Sequence, residues 1–264
     1  MAAQQVQVVS LQGKVCLVTG SSSGIGAGTA ILFAGLGARL ALNGRNQEKL
    51  QETAQRCEEI SGLKPFLVPG DLTDEKVVQQ IVEETVGHFG QLDVLVNCGG
   101  IQARGSVENT TLEDYDRVMN TNVRSLFYLT QLAVPHLIKT KGNIVNVSSC
   151  LGLRPMPGLL VYSVSKSAVD HMTRCAALEL ASKQVRVNAV CPGVIITELQ
   201  KRAGMSEEQY QELLKRTQET HALGRPGSVE EVARTIAFLA SDAASFITGV
   251  TMPVDGGRHA MCPR

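Results

Sequence analysis

The chain has 264 residues, and its 25 lysines and arginines are balanced by 25 aspartates and glutamates. That balance gives no basic field for nucleic acid or an anionic membrane, and no apolar run reaches the roughly 18 residues of a membrane span. Seven cysteines (Cys16, Cys57, Cys98, Cys150, Cys175, Cys191 and Cys262) stand without a C-x-x-C pair, and the five histidines share no metal-ligand spacing. The start MAAQQVQVVS carries neither the basic cluster nor the apolar core of a secretory signal, so the expectation is a cytoplasmic protein with reduced thiols and no metal. In that compartment the sequons at Asn109 and Asn146 are chance matches.

Short β-branched runs alternate with stretches of helical period, the pattern of a parallel sheet covered by helices. KVCLVTG is a first buried strand, followed by a helix near Ala27 to Leu36 that ends at Gly37, a glycine C-cap. ARLALNG is the second strand and EKLQETAQRCEEI a helix; PFLVPGD and DEKVVQQIVEETVGHFG repeat the strand and the helix. LDVLVNCGG is the fourth strand. A long helix over Leu112 to Ile138 follows, apolar nearly all round in SLFYLTQLAVPHL, and Pro135 is expected to kink or stop its end. GNIVNVSS, VRVNAVCPG and GVTMPVDGG complete seven strands, separated by a helix from VYSVSK to about Ala181 and by SVEEVARTIAFLAS. Lacking an internal linker, repeat or low-complexity tract, residues 1–264 read as one domain.

The unusual residues fall at one place in this pattern. TGSSSGIG, NCGG, SSCLG and CPG each sit just past the carboxyl end of an apolar strand. In open α/β sheets ligands bind outside those ends, so four loops converge on one rim.

TGSSSGIG places Gly20, Gly24 and Gly26 between a strand and a helix, with Ser22, Ser23 and Ile25 among them. Such a turn lets backbone approach a pyrophosphate, which the free N–H groups of the helix N-terminus attract. The spacing is G-x-x-x-G-x-G, not the commoner G-x-G-x-x-G, so the turn alone leaves a purely structural role open. About twenty residues further on, an acid would grip the ribose 2′-OH of NAD and a base the 2′-phosphate of NADP. Here Gly44 and Arg45 stand in LNGRN and no acid lies between Gly37 and Gln47, which points to NADP(H) over NAD(H). Asp71 either meets the adenine or caps the helix that follows.

VYSVSK sets Tyr162 and Lys166 at i and i+4, on one face of a helix. An ammonium about 4 Å from the phenol, at an effective dielectric of about 20, is worth roughly 4 kcal/mol, enough to bring a pKa of about 10 near 7. A tyrosine and a lysine on a solvated face is the other reading of the same spacing.

With TGSSSGIG, NCGG, Ser149 and YSVSK in this order, and with CPG and VDGG beyond them, the chain resembles the short-chain dehydrogenase/reductase family, including its 3-oxoacyl-ACP reductase-like and carbonyl reductase-like members, from Lys14 to about Gly257. The family's glycine spacing is the one found here, and its Y-x-x-x-K lies thirteen residues after a catalytic serine, the separation of Ser149 and Tyr162. The resemblance implies a doubly wound Rossmann fold, a seven-stranded parallel sheet with helices on both faces. It implies that Tyr162 is the general acid or base and that Lys166 tunes it and bonds the nicotinamide ribose. Ser149 would hold the substrate oxygen, and Asn122 would link a proton-relay water to the lysine. Leu72, Asn97, Gly99, Gly100, Pro192, Gly193, Ile195 and Thr197 match positions that line or support the cofactor site, with Asp71 and Arg45. Two departures stand out: Cys98 and Gly99 replace the asparagine and alanine of N-N-A-G, and Ser23 stands where many NADP-using relatives carry a base.

In CLGLRPMPGLL, the side chains of Leu151, Leu153, Met156, Leu159 and Leu160 either wall a pocket for an apolar carbonyl substrate or pack against a neighbouring helix or subunit. MSEEQYQELLKRTQET opens on a possible capping box, Ser206 and Gln209, and sets Tyr210, Leu213 and Leu214 on one face. In the family this region, here near 194–225, covers the substrate, and in many relatives the long apolar helix and the helix after Tyr162 form the interface of a homotetramer. The expected function is therefore NADP-dependent carbonyl reduction or its reverse. The competing readings are an NAD-dependent alcohol dehydrogenase of steroid type and a dinucleotide-binding sensor without turnover.

Overall fold

Runs of buried aliphatic side chains set the sheet. A computed structural model describes residues 9–261. Its strands are β1 (Val15–Val18), β2 (Arg39–Leu42), β3 (Phe66–Leu67), β4 (Val94–Asn97), β5 (Asn143–Val147), β6 (Arg186–Pro192) and β7 (Thr251–Val254). They form one sheet in the order β3-β2-β1-β4-β5-β6-β7, and every pairing is parallel. Strands β1, β4 and β5 are buried along their whole length, as a sheet covered on both faces requires.

The helices are α1 (Gly24–Gly35), α2 (Gln47–Ser61), α3 (Glu75–Phe89), α4 (Leu112–Met119), α5 (Ser125–Thr140), α6 (Cys150–Leu153), α7 (Leu160–Ala181), α8 (Leu199–Arg202), α9 (Glu207–Thr220) and α10 (Val229–Ala240). One core lies where α1, α2 and α10 meet the sheet, around Phe33, Leu42, Leu50 and Ile236; the other lies under α3, α5 and α7, around Leu95, Leu129, Leu137 and Ile144. Each such side chain contributes roughly 1.5–3 kcal/mol by leaving water. The order reverses between β1 and β4, so helices diverge there and open a crevice at the strands' carboxyl ends.

Several boundaries differ from the sequence expectation. α1 begins at Gly24, inside the glycine turn, and Gly37 follows its end in a left-handed conformation with φ +84°. The long helix over Leu112 to Ile138 is two α-helices joined by a π turn at Asn120–Arg124. Pro135 does not stop α5, which continues to Thr140. The proline and Gln131, whose carbonyl loses its partner, both lie on the exposed side of the helix, while buried Leu137 and the Thr140 hydroxyl, donating to the Leu92 carbonyl at 2.8 Å, hold the last turn. Asp71 does not cap α3; Asp74 does, accepting from the N–H groups of Lys76 and Val77. Phe127 on α5 is 52% exposed, so the single chain does not cover this helix all round.

Among the described residues the six cysteines are free, and Cys262 lies outside them. Asn146 is buried and bonded to Asn97 and Thr173, which leaves its sequon closed to modification, whereas Asn109 is exposed. No described helix is long and apolar enough to cross a membrane.

Candidate active site

A cleft of about 450 Å³ opens at the switch between β1 and β4, a size usual for small-molecule sites. Gly20, Ser22, Ser23, Gly24, Ile25, Gly26, Arg45, Asp71, Leu72, Gly99, Gly100, Ser149, Tyr162, Lys166, Pro192, Gly193, Ile195 and Thr197 all line it. Asn97 and Asn122 do not. Asn97 points into the core, where its amide donates to Asn146 Oδ1 at 2.9 Å and to the Thr130 hydroxyl at 3.2 Å. It supports the strand end from behind.

The glycine turn is shaped for close approach. Gly20 has φ +65°, and a Cβ there would stand 2.9 Å from the Gly99 nitrogen; one on Gly26 would stand 2.4 Å from the Gly20 carbonyl oxygen. Ser23 precedes α1 without a side-chain bond to it, and the first turn carries no acid, unlike α2, α3 and α4, whose N-caps accept from backbone N–H groups. The first N–H groups of α1 therefore face the cleft unclaimed, and a dinucleotide pyrophosphate fits them. Cys98 N–H and Gly99 N–H both donate to the Thr19 hydroxyl, at 3.1 and 3.2 Å, so this part of the departing NCGG loop is bonded through backbone. Burial pushes the Cys98 thiol up to about 12, which keeps it neutral.

At the far end, β5 and α7 bring Ser149, Tyr162 and Lys166 together. Ser149 caps α6, its Oγ accepting from Leu151 N–H at 3.1 Å. All three residues are buried. Lys166 Nζ donates to the Val147 carbonyl at 2.9 Å and stands 5.7 Å from the centre of the Tyr162 ring. The packing seats the ammonium on the Val147 carbonyl, beside the ring. Burial raises the Tyr162 pKa, and the nearby Ser149 hydroxyl offsets only part of that rise. Burial also pulls the Lys166 pKa down. In this arrangement Tyr162 holds its proton at neutral pH.

The π turn explains Asn122. It is buried, and its Oδ1 accepts from Ile101 N–H at 2.8 Å while its Nδ2 donates to the Ile101 carbonyl at 2.9 Å and to Ser165 Oγ at 3.0 Å. Ser165 Oγ in turn donates to the Tyr162 carbonyl at 2.7 Å, so Asn122 ties the loop after β4 to the helix that carries the tyrosine.

At the opposite mouth of the cleft, Arg45 Nη1 stands 3.5 Å from Asp71 Oδ2. Burial opposes ionisation of Asp71, but the Thr73 N–H and hydroxyl and the Arg45 charge outweigh it and hold the carboxyl below its usual range. Sequence reasoning missed Lys49, which joins Arg45 at this mouth, and Arg202 on α8, whose guanidinium donates to Ser23 Oγ at 3.0 Å. No periodicity or motif marks Arg202; only the passage of the chain after β6 over the glycine turn brings it there. None of the five apolar side chains of CLGLRPMPGLL lines this cleft: Met156 and Leu159 pack against Cys150, Leu151 and Tyr162, whereas Leu153 and Leu160 are exposed. Ser206 and Gln209 form the capping box of α9, and the buried Tyr210 hydroxyl both accepts from Thr197 N–H at 3.2 Å and donates to the Thr197 carbonyl at 3.1 Å.

The family profile described as Enoyl-(Acyl carrier protein) reductase matches residues 20–259. The chain is 41% identical over 249 residues to the 3-oxoacyl-[acyl-carrier-protein] reductase FabG of Thermotoga maritima, covering 94% of this chain and 98% of that one. It is 39% identical over 247 residues to glucose 1-dehydrogenase of Gluconobacter oxydans, covering 93% and 91%. A short-chain dehydrogenase/reductase of unknown function from Caenorhabditis elegans, solved with cofactor, superposes with a TM-score of 0.89 at 35% identity over 96% of this chain and 97% of that one. The chain belongs to the short-chain dehydrogenase/reductase family. It is accordingly an oxidoreductase acting on CH–OH or C=O groups, of a family that binds NAD(P)(H).

Proposed function

We propose that this oxidoreductase transfers a hydride between NADP(H) and a ketone or secondary alcohol, as a carbonyl reductase on an apolar or acyl-type substrate. The observation that carries the proposal is the single cleft that joins a glycine turn, an exposed arginine after β2, and a buried serine–tyrosine–lysine group. The α1 N–H groups would hold the pyrophosphate, Arg45 the 2′-phosphate and Lys166 the nicotinamide ribose hydroxyls. The bound dinucleotide supplies the hydride. The chain's own part is position, a proton and electrostatics. Ser149 donates a hydrogen bond to the substrate oxygen, where negative charge develops, and Tyr162 donates its phenolic proton to that oxygen. A phenol kept protonated by burial is ready for the reductive direction. Met156, Leu159 and Leu151 beside Tyr162 favour an apolar chain next to the carbonyl.

The NAD-dependent alcohol dehydrogenase remains the second reading because Asp71 partly neutralises Arg45. A non-catalytic sensor has no use for the buried serine–tyrosine–lysine group. Residues 1–264 are read as one cytoplasmic catalytic domain whose segment near 194–225 covers the substrate. The exposed Leu112, Tyr115 and Phe127 on α4 and α5 support a homotetramer, to be checked by the solution mass. The functional test is a fluorescence titration with NADPH and with NADH, followed in the same cell by a panel of ketones and 3-oxoacyl thioesters. Tighter NADPH binding with oxidation by one panel member is expected. Preferred NADH would overturn the cofactor choice, and tight binding without turnover across the panel would favour the sensor.

A further inference from the structure

After β6 the chain leaves the sheet, builds α8 and α9, and comes back before α10. Its departure and its return meet at one side chain. His221 directly follows the last turn of α9 and is 2% exposed. Its Nε2 accepts from Val194 N–H at 3.2 Å, so that nitrogen carries no proton and the ring is the neutral tautomer, with Nδ1–H facing the Thr220 hydroxyl at 3.2 Å. The fit is close: a Cβ on Gly193 would stand 2.9 Å from His221 Nε2 and 2.9 Å from Asp255 Cα. Gly193 and Ile195, on either side of Val194, both line the cleft. Two further ties hold this neck. The Val194 carbonyl accepts from Gly227 N–H at 2.9 Å, and Tyr210 bonds both backbone groups of Thr197.

We propose that neutral His221 is a positioning residue that closes the neck of the lid, and that protonation of its Nε2 removes the acceptor for Val194 N–H and loosens the lid in acid. Two charged groups face the ring. Arg258 disfavours a second positive charge, and Asp255 favours it. The Asp255 carboxylate, however, already accepts from Gly257 N–H at 3.0 Å, from His259 N–H at 2.7 Å and from His259 Nδ1. From its own helix the ring meets the Thr220 hydroxyl, and from the β6 exit it meets backbone N–H. Burial and Arg258 outweigh Asp255 and hold the His221 pKa below the usual histidine value of about 6.5. The unfolded chain therefore takes up this proton before the folded one. The contribution of the clamp is complete above about pH 6.5 and is lost as pH falls from there toward the lower folded value.

The test is hydrogen–deuterium exchange on the full chain without ligand, comparing peptides from 194–221 with a β5 peptide as internal reference at the same pH. This readout is independent of cofactor choice and of turnover, so it can fail while the proposed function stands, or the reverse. In the native protein, lid protection relative to β5 is expected to fall about tenfold between pH 7.5 and pH 5, the loss of roughly one hydrogen bond. His221→Gln, whose amide oxygen can accept from Val194 N–H without titrating, should keep protection at both pH values. His221→Leu should lack it at both. If His221→Leu does not fold, the native protein and His221→Gln decide the matter. Lid protection that ignores pH in the native protein, or the same fall in His221→Gln, would overturn the proposal.

Discussion

Tyr162 and Lys166 are 7% and 6% exposed and stand on the 22-residue helix α7, whereas Arg45 and Arg202, at the opposite end of the same cleft, are exposed and reach it from a loop and a four-residue helix. The buried end is held by bonds among its own members: Lys166 to the β5 carbonyl of Val147, Ser149 to α6, and Asn122 through Ser165 to the backbone of Tyr162. The exposed end is held by one ion pair at 3.5 Å and one hydrogen bond at 3.0 Å, each in reach of water. A proton must be delivered at a defined point, which favours residues that cannot move. A phosphate can be gripped by long charged side chains that arrive with it, which is what guanidinium groups on mobile stems provide. Changes at the buried end should therefore appear in turnover, and changes at the exposed end in affinity.

The largest expected effect breaks the comparison at its buried end. Tyr162→Phe should lower turnover about 10³-fold while cofactor titration is retained, since only the proton donor is removed. Unchanged turnover would place the proton source elsewhere. At the exposed end, Arg45→Ala should weaken NADPH about tenfold and NADH little, the value of one charge-assisted contact. Equal loss for both nucleotides would remove Arg45 from the 2′-phosphate site. Tyr210→Phe loosens the segment after β6 while both ends of the cleft are intact. It deletes a hydroxyl bonded twice to Thr197 and should cost about 1 kcal/mol in denaturant unfolding, with KM rising more than turnover falls. Ser206→Ala, which removes an exposed capping box, should cost about 0.5 kcal/mol by the same measurement and leave kinetics unchanged.

Much of the sheet could be read from the chain, because most buried strands are short aliphatic runs with glycines or polar residues at their carboxyl ends. β3 shrinks to two residues at the sheet edge, where the run PFLVPGD is interrupted by prolines. The π turn at Asn120–Arg124 leaves no periodic trace, since one extra residue in a turn is smaller than the spread of the apolar pattern around it. Pro135 misleads for a related reason: a proline on the solvent side of a helix costs less than one whose freed carbonyl is buried. At the site, the glycine turn and the Ser149–Tyr162–Lys166 spacing were visible because local spacing creates them. The state of the phenol was not. The sequence places an ammonium near it, but only the packing shows Lys166 turned to Val147 and Tyr162 deep enough for burial to prevail. Arg202 and His221 were invisible because the contacts that define them join residues 179 and 27 positions apart.

The proposed role of a buried, protonated Tyr162 as proton donor is open to test by the pH dependence of kcat/KM in both directions. With the phenol's pKa raised, carbonyl reduction should be level across neutral pH, while alcohol oxidation, which needs the phenolate, should climb steadily as pH rises toward the range where the phenol ionises. Oxidation that is level over the same range, or reduction that falls through neutral pH as though its acid were already ionising, would contradict the account.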